Sequence, residues 1–189
     1  IKRYISSNSF FKDSLSPINP DNSMPEIIRK MCEVSIKTGI GPMAGIAGAI
    51  AEEIGKELLH YTDEVIVENG GDIFIKTEKD RIIGIYTENE KFKNFAIKIK
   101  SKNTPLGICS SSSYIGHSLS FGKAELTTVI SKDTVLADSL ATLIGNKVTD
   151  KNDLDIVMNE VSSYNIIGAF AIKDDRIAIL GEIEFVEVG

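Results

Sequence analysis

The tetrapeptide Asn69-Gly70-Gly71-Asp72 separates two short apolar runs, Val65–Glu68 and Ile73–Lys76. Asn-Gly and Gly-Gly supply the positive φ values that a tight hairpin turn requires, so the two runs read as antiparallel neighbours. A similar pattern closes the chain, where Ile166–Ile172, the turn Lys173-Asp174-Asp175-Arg176, Ile177–Leu180 and Ile183–Val188 form a terminal antiparallel unit. Arg81–Thr87 and Phe95–Lys100 continue the sheet, with Ala96, Lys98 and Lys100 alternating against Ile97 and Ile99. Leu126–Ile130 is a further strand. Hairpins dominate, and no GxGxxG or repeating strand–helix alternation is present. The fold class is α+β rather than doubly wound α/β.

Helices fill the intervals. Asn22 or Ser23 caps the first, Pro25 suits its opening turn, and Ile27, Ile28, Met31 and Val34 recur at helical spacing. Gly39 or Gly41 ends it, and Pro42 starts a second helix running to about His60. Ala44, Ala47, Ala51, Ile54 and Leu58 mark one stripe of this second helix. Gly45 and Gly48 each disfavour a helix interior by ~1 kcal/mol, which points to a close approach to the backbone by another helix or by a ligand. Thr134–Gly145 is a short helix, and Leu154–Ser163 is another. The first twenty residues are polar, with Phe10-Phe11 as the point of attachment to the core. No linker or repeat divides residues 1–189, so a single domain is expected.

Of the 189 residues 42% are apolar and 25% charged, enough to build a core and unlike a disordered chain. Lys and Arg total 21 against 27 Asp and Glu, and a net charge of −6 argues against a nucleic-acid partner. No apolar run approaches the ~18–20 residues of a membrane span, so no membrane partner is expected. Cys32 and Cys109 lack CxxC spacing and read as reduced thiols. With no apolar core to a signal peptide in the opening residues, a cytoplasmic location is expected.

Four segments carry chemistry beyond folding. Gly39–Gly45, with Gly41 and Met43, is a small-residue junction leading into a helix, where exposed N–H groups suit an anion such as phosphate and also suit a plain helix–helix turn. At the hairpin, Glu68 and Asp72 place a carboxylate on either side of the turn. Cys109–Ser113 and Ile115–Gly122 offer four consecutive serines, Ser111 and Ser112 among them, followed by His117 between a Gly and a Ser. A Ser/His hydrolase reading lacks a GxSxG elbow and an identifiable acid, and His117 is otherwise a structural histidine. In Ala137–Thr142, Asp138 and Thr142 stand four apart on one helix face. Their oxygens, with carbonyls near Ala141, suit Mg²⁺, although an acid in a helix's first turn also has a purely structural use.

Taken in order, these segments resemble the ApbE superfamily of Mg²⁺-dependent flavin transferases, and more closely a prokaryotic branch of it. The resemblance rests on Gly41–Glu52, Val67–Ile73, Cys109–Ala124 and Ala137–Asn146. It implies an ApbE-like (T-fold-like) architecture of antiparallel sheets backed by helices, in two interlocked halves with the ligand cleft between them. It further implies an enzyme that binds FAD and Mg²⁺, cleaves the pyrophosphate, and attaches FMN to a Thr or Ser of an acceptor protein. Asp138 and Thr142, with the Ala141 carbonyl, match the metal-holding pattern, and Asp138 and His117 are the catalytic candidates. Gly41, Met43, Asn69, Gly70, Gly71, Asp72, Ser111, Ser112 and His117 are the candidates for binding FAD or FMN.

Two departures matter: Ala47-Gly48 stands where the transferases have Lys-Gly, and the segment leading to His117 is shorter. They keep open a non-enzymatic flavin- or small-anion-binding role, or an accessory role in cofactor or sulfur metabolism. Relatives in the branch carry extra N-terminal sequence, so part of the family domain is expected before Ile1. A homo-oligomer is compatible with the sequence, which does not fix the state.

Overall fold

A computed structural model describes residues 1–113 and 122–188. Two short helices, α1 (Lys2–Ser7) and α2 (Ser9–Asp13), open the chain. Phe11 is the buried anchor, edge-on to Tyr4 at 5.4 Å, whereas Phe10 is exposed. Helix α3 (Glu26–Thr38) follows Pro25 and ends at Gly39, whose φ of 75° is the left-handed cap that glycine adopts without strain. Pro42–Gly45 is a single 3₁₀ turn, and α4 spans Ile46–Leu58, so the continuous helix expected from Pro42 to His60 is divided.

The inward face of α4 also differs from expectation. Ile54 and Leu58 are 46% and 43% exposed, while Gly48, Ala49, Ala51, Glu52 and Gly55 are buried. The face turned inward is the smallest rather than the most apolar, because neighbours come too close for larger side chains. A Cβ on Gly55 would lie 2.1 Å from Cδ1 of Phe74.

Strands β1 (Val65–Asn69) and β2 (Asp72–Lys76) form the expected hairpin, with Asn69 opposite Asp72. β3 (Arg81–Gly84), β4 (Phe95–Ile99), β5 (Leu106–Ser111) and β6 (Leu126–Ser131) precede helices α5 (Thr134–Lys147) and α6 (Asp153–Val161). β7 (Gly168–Lys173), β8 (Arg176–Gly181) and β9 (Phe185–Glu187) complete the order. Among the described residues these make a six-stranded antiparallel sheet, β1-β2-β5-β6-β7-β8, and a three-stranded one, β3-β4-β9. The chain is therefore α+β, with antiparallel sheets backed by helices. Its earlier strands β1, β2 and β5 join its later strands β6, β7 and β8 at the β5–β6 pairing.

Three details correct the sequence reading. β3 and β4 leave the main sheet and pair with each other, Ile83 opposite Ile97. β9 joins β4 rather than β8, because Gly181 at φ 77° turns the chain away and Phe185 packs edge-on against Phe170 at 5.3 Å. β5, which carries Cys109, Ser110 and Ser111 of the serine run and for which the sequence pattern predicts no strand, is a central strand.

Alternation along the strands divides the core into two layers. Cys109, Val129, Ala169 and Ala171 face the helices, together with Ile28, Met31, Leu140 and Ile144. On the opposite face, Ile75, Ile108, Ile130, Phe170 and Ile172 pack with Ile97, Ile99 and Phe185 of the small sheet. No single helix among the described residues is long and apolar enough to cross a membrane.

Candidate cation site and ligand cleft

Helices α4 and α5 cross where the glycines leading into and opening α4 leave no room for a side chain of their own. A Cβ on Gly48 would stand 2.6 Å from the Thr134 carbonyl oxygen and 2.8 Å from Cβ of Asp138, and one on Gly45 would stand 2.7 Å from Oγ of Ser139. The glycines three apart thus serve helix packing. Contact this close lets each helix cap the other. The Gly48 N–H, in the first turn of α4, donates to Asp138 Oδ2 at 2.8 Å, and the Ala47 N–H assists it. In return Glu52 Oε2 accepts from the Thr134 N–H, the first of α5, at 2.9 Å. Unpaired N–H groups at a helix start attract carboxylates, and here both carboxylates come from the partner helix. Asp138 is therefore not an acid serving its own helix's first turn; Asp133 does that, accepting from Leu136 N at 3.1 Å.

Burial alone would push Glu52 up, but Lys30 at 2.6 Å and Lys56 at 2.5 Å hold its carboxyl below its ordinary value. Among the described residues Asp138 has no such cation. Burial first, then repulsion from Asp72, push it well above the usual carboxylate range despite the Gly48 and Ala47 N–H groups. Burial likewise raises Asp72 to about 7, although the Cys109 thiol and the Ser110 N–H donate to it. Among the described residues Asp72 Oδ1 is buried without a hydrogen-bond partner. Cys109 is fully buried, its thiol 3.5 Å from the Thr134 carbonyl. Burial and the two acids raise its pKa, which suits a packed thiol better than a nucleophile.

Two buried carboxylates held together with an oxygen left bare are unfavourable on their own, and a divalent cation relieves both faults. Thr142 is half-buried one turn beyond Asp138. The Ala141 carbonyl accepts from Thr127 Oγ1 at 2.8 Å, and the same hydroxyl reaches the Ser111 carbonyl at 3.2 Å. Among the described residues no group of three or more His, Cys, Asp and Glu is placed to hold a metal. Few protein ligands, all oxygen, fit Mg²⁺, which fills its octahedron with water and phosphate.

The hairpin turn links this pair to a cleft. Gly70 and Gly71, at φ 67° and 99°, line a cavity of about 510 Å³ between the six-stranded sheet and β3. Ser110, Ser111, Ser112 and Thr128 line it too. A Cβ on either turn glycine would meet nothing within 4 Å, so the backbone there is open to a ligand. Asp72 follows directly, which puts the acid pair one residue beyond the cleft wall.

The remaining candidates stand elsewhere. Gly41 packs on the N-terminal segment, where its Cβ would lie 2.0 Å from the Ser14 carbonyl oxygen. Met43 packs against the helical core. Asn69 turns to the helix side and donates to the Ala47 carbonyl at 3.2 Å. His117 lies outside the described residues. Sequence reasoning missed the pairing of Asp72 with Asp138, since residues 66 positions apart give no local signal. It also missed Ser110 and Thr128, which only strand pairing brings together.

This arrangement of sheets, helices and cleft defines an ApbE-type fold. The ApbE protein of Thermotoga maritima matches at a TM-score of 0.56 and 16% identity, over 77% of this chain and 50% of that one. A flavin transferase ApbE from Vibrio cholerae matches at 0.52 and 14% identity, over 97% and 72%. The chain thus spans half the length of the Thermotoga protein, and at these identities the likeness is one of fold. The chain belongs to the family described as AbpE bacteria, which matches residues 1–165. It is also 38% identical over 185 residues to a UPF0280 protein of Methanothrix thermoacetophila, covering 97% of this chain and 78% of that one.

Proposed function

We propose that the chain binds a flavin nucleotide with Mg²⁺ and acts on its phosphates, by FMN transfer to an acceptor protein or by cleavage of the FAD pyrophosphate. The observation that carries this reading is the buried Asp72–Asp138 pair, with its bare oxygen, beside the open Gly70-Gly71 turn. Asp72 and Asp138 would hold the ion, joined by Thr142 and the Ala141 carbonyl, and the turn would leave room for phosphate. Mg²⁺ bound there would neutralise charge on the pyrophosphate. The bond from the FMN phosphorus to the bridging oxygen would break, with AMP leaving as an acceptor hydroxyl or water attacks and gives up its proton. Fold likeness to a flavin transferase supports the substrate class, and the acidic composition suits a small-molecule and protein partnership in the cytoplasm.

A second reading, flavin or small-anion binding without turnover, is favoured by one observation. Among the described residues lining the cleft there is no Lys, Arg or His, and Ala47-Gly48 replaces the Lys-Gly pair. Incubating the full chain with FAD and Mg²⁺, and assaying AMP by chromatography, separates the two. AMP release is expected. Flavin retained through gel filtration without AMP would favour the second reading, and neither result would overturn both.

A further inference from the structure

Glu52 stands one helical turn beyond Gly48 on α4, and Thr134 one turn before Asp138 on α5. The two helices are thus tied twice, in opposite order. The Gly48 N–H donates to Asp138 Oδ2 at 2.8 Å, and the Thr134 N–H donates to Glu52 Oε2 at 2.9 Å. One tie alone would let α5 slide or turn against α4, whereas two ties about 6 Å apart along each axis remove both freedoms. All four residues are buried, Glu52 to 3% exposure. A Cβ on Gly107 would lie 2.7 Å from Cα of Thr134, so β5 closes a third side of the helix start. Lys30 of α3 reaches both Glu52 at 2.6 Å and Asp133, the cap of α5, at 3.3 Å.

A carboxylate in this position has two separable properties, its charge and its reach. The charge is balanced on the spot, because Lys30 and Lys56 both contact Oε1, while Oε2 serves Thr134. A balanced charge adds little to a cation held elsewhere. Reach acts differently. The length of the Glu52 side chain sets where α5 begins, and one hydrogen-bonded turn carries any displacement of Thr134 to Asp138. Mg²⁺ demands near-ideal ligand placement, so such a displacement weakens its site. We propose that Glu52 is a positioning residue of the cation site, which through the Thr134 N–H fixes where the Asp138 carboxylate stands opposite Asp72. It acts by its reach and not by its charge. The identity of the ion rests on the flavin-nucleotide reading; the placement of Asp138 does not.

Mn²⁺, which suits the same oxygen ligands as Mg²⁺, is the probe, with the free ion read by electron paramagnetic resonance. It is titrated against the full chain at about pH 8, where it competes with few protons. Glu52→Gln keeps the reach without the charge, and Glu52→Asp keeps the charge but draws it back by one methylene. Glu52→Gln is expected to bind Mn²⁺ within about twofold of the parent and Glu52→Asp about tenfold more weakly, the scale on which partners of metal ligands act. Lys30→Met lowers Tm but leaves both ties between the helices, so it should bind as the parent does. The Gly48 amide resonance gives a second readout that needs no ligand. It should keep its parental position in Glu52→Gln and move in Glu52→Asp, as the bond to Asp138 is disturbed. Unchanged affinity in Glu52→Asp, equal weakening in both Glu52 variants, or an equal loss in Lys30→Met would overturn the proposal. If the parent binds no Mn²⁺, the cation reading falls. The Gly48 resonance then decides alone: a shift in Glu52→Asp upholds the placement of Asp138 by Glu52, and no shift overturns it.

Discussion

Asp72 and Asp138 share a buried space that suits at most one negative charge, and this has a pH signature. Asp72 rises from an ordinary 3.8 to about 7, so between these values the folded protein holds a proton that the unfolded chain releases. The resulting stability is complete below the unfolded pKa and is lost as pH rises through the folded one. Thermal melts in EDTA should therefore show Tm falling from about pH 5 to 8, and Asp72→Asn should flatten that slope. Mg²⁺ should raise Tm more at the alkaline end, where it competes with fewer protons; an equal increment at both ends would separate the ion from this pair. Glu52 behaves in the opposite sense. Its pKa is held down, so its contribution is present at neutral pH and lost as pH falls through the folded value. Glu52→Gln keeps an acceptor for the Thr134 N–H but loses the ion pairs with Lys30, which retains Asp133 at 3.3 Å, and with the exposed Lys56, so it should cost about 1 kcal/mol at neutral pH by denaturant titration.

Between elements, the α4–α5 crossing sets where the acids stand. Gly48→Ala should gain helix propensity of ~1 kcal/mol, yet its methyl would press on the Thr134 carbonyl and on Asp138. A net loss of about 1–3 kcal/mol is expected from such overpacking, together with weaker Mg²⁺ affinity, because α4 is pushed off the carboxylate it caps. Gly45 and Gly48 announce that contact in the sequence, as Asn69-Gly70-Gly71-Asp72 announces the hairpin and Asp138 with Thr142 the helix face. The 3₁₀ break at Pro42–Gly45 is not legible, since proline starts either helix type. β5 is hidden because Ser110 and Ser111 carry no strand signature and gain their place from partners on both sides. The separation of β3, β4 and β9 into a second sheet depends on where Phe185 finds Phe170, a long-range contact that no local pattern encodes.

Across the whole molecule, the six-stranded sheet is a partition. Helices and the acid pair lie on one side, the small sheet and the cleft on the other, and the Gly70-Gly71 turn joins the two at one end. The account's central claim is the cation at Asp72–Asp138, and Asp138→Asn tests it most directly. The amide still accepts from the Gly48 N–H and removes the repulsion with Asp72, so the metal-free variant should melt no lower than the parent at pH 8. The deciding measurement is FAD affinity with and without Mg²⁺ in parent and variant. The account predicts that Mg²⁺ tightens FAD binding in the parent and that this enhancement is lost in Asp138→Asn; equal enhancement in both proteins would contradict it.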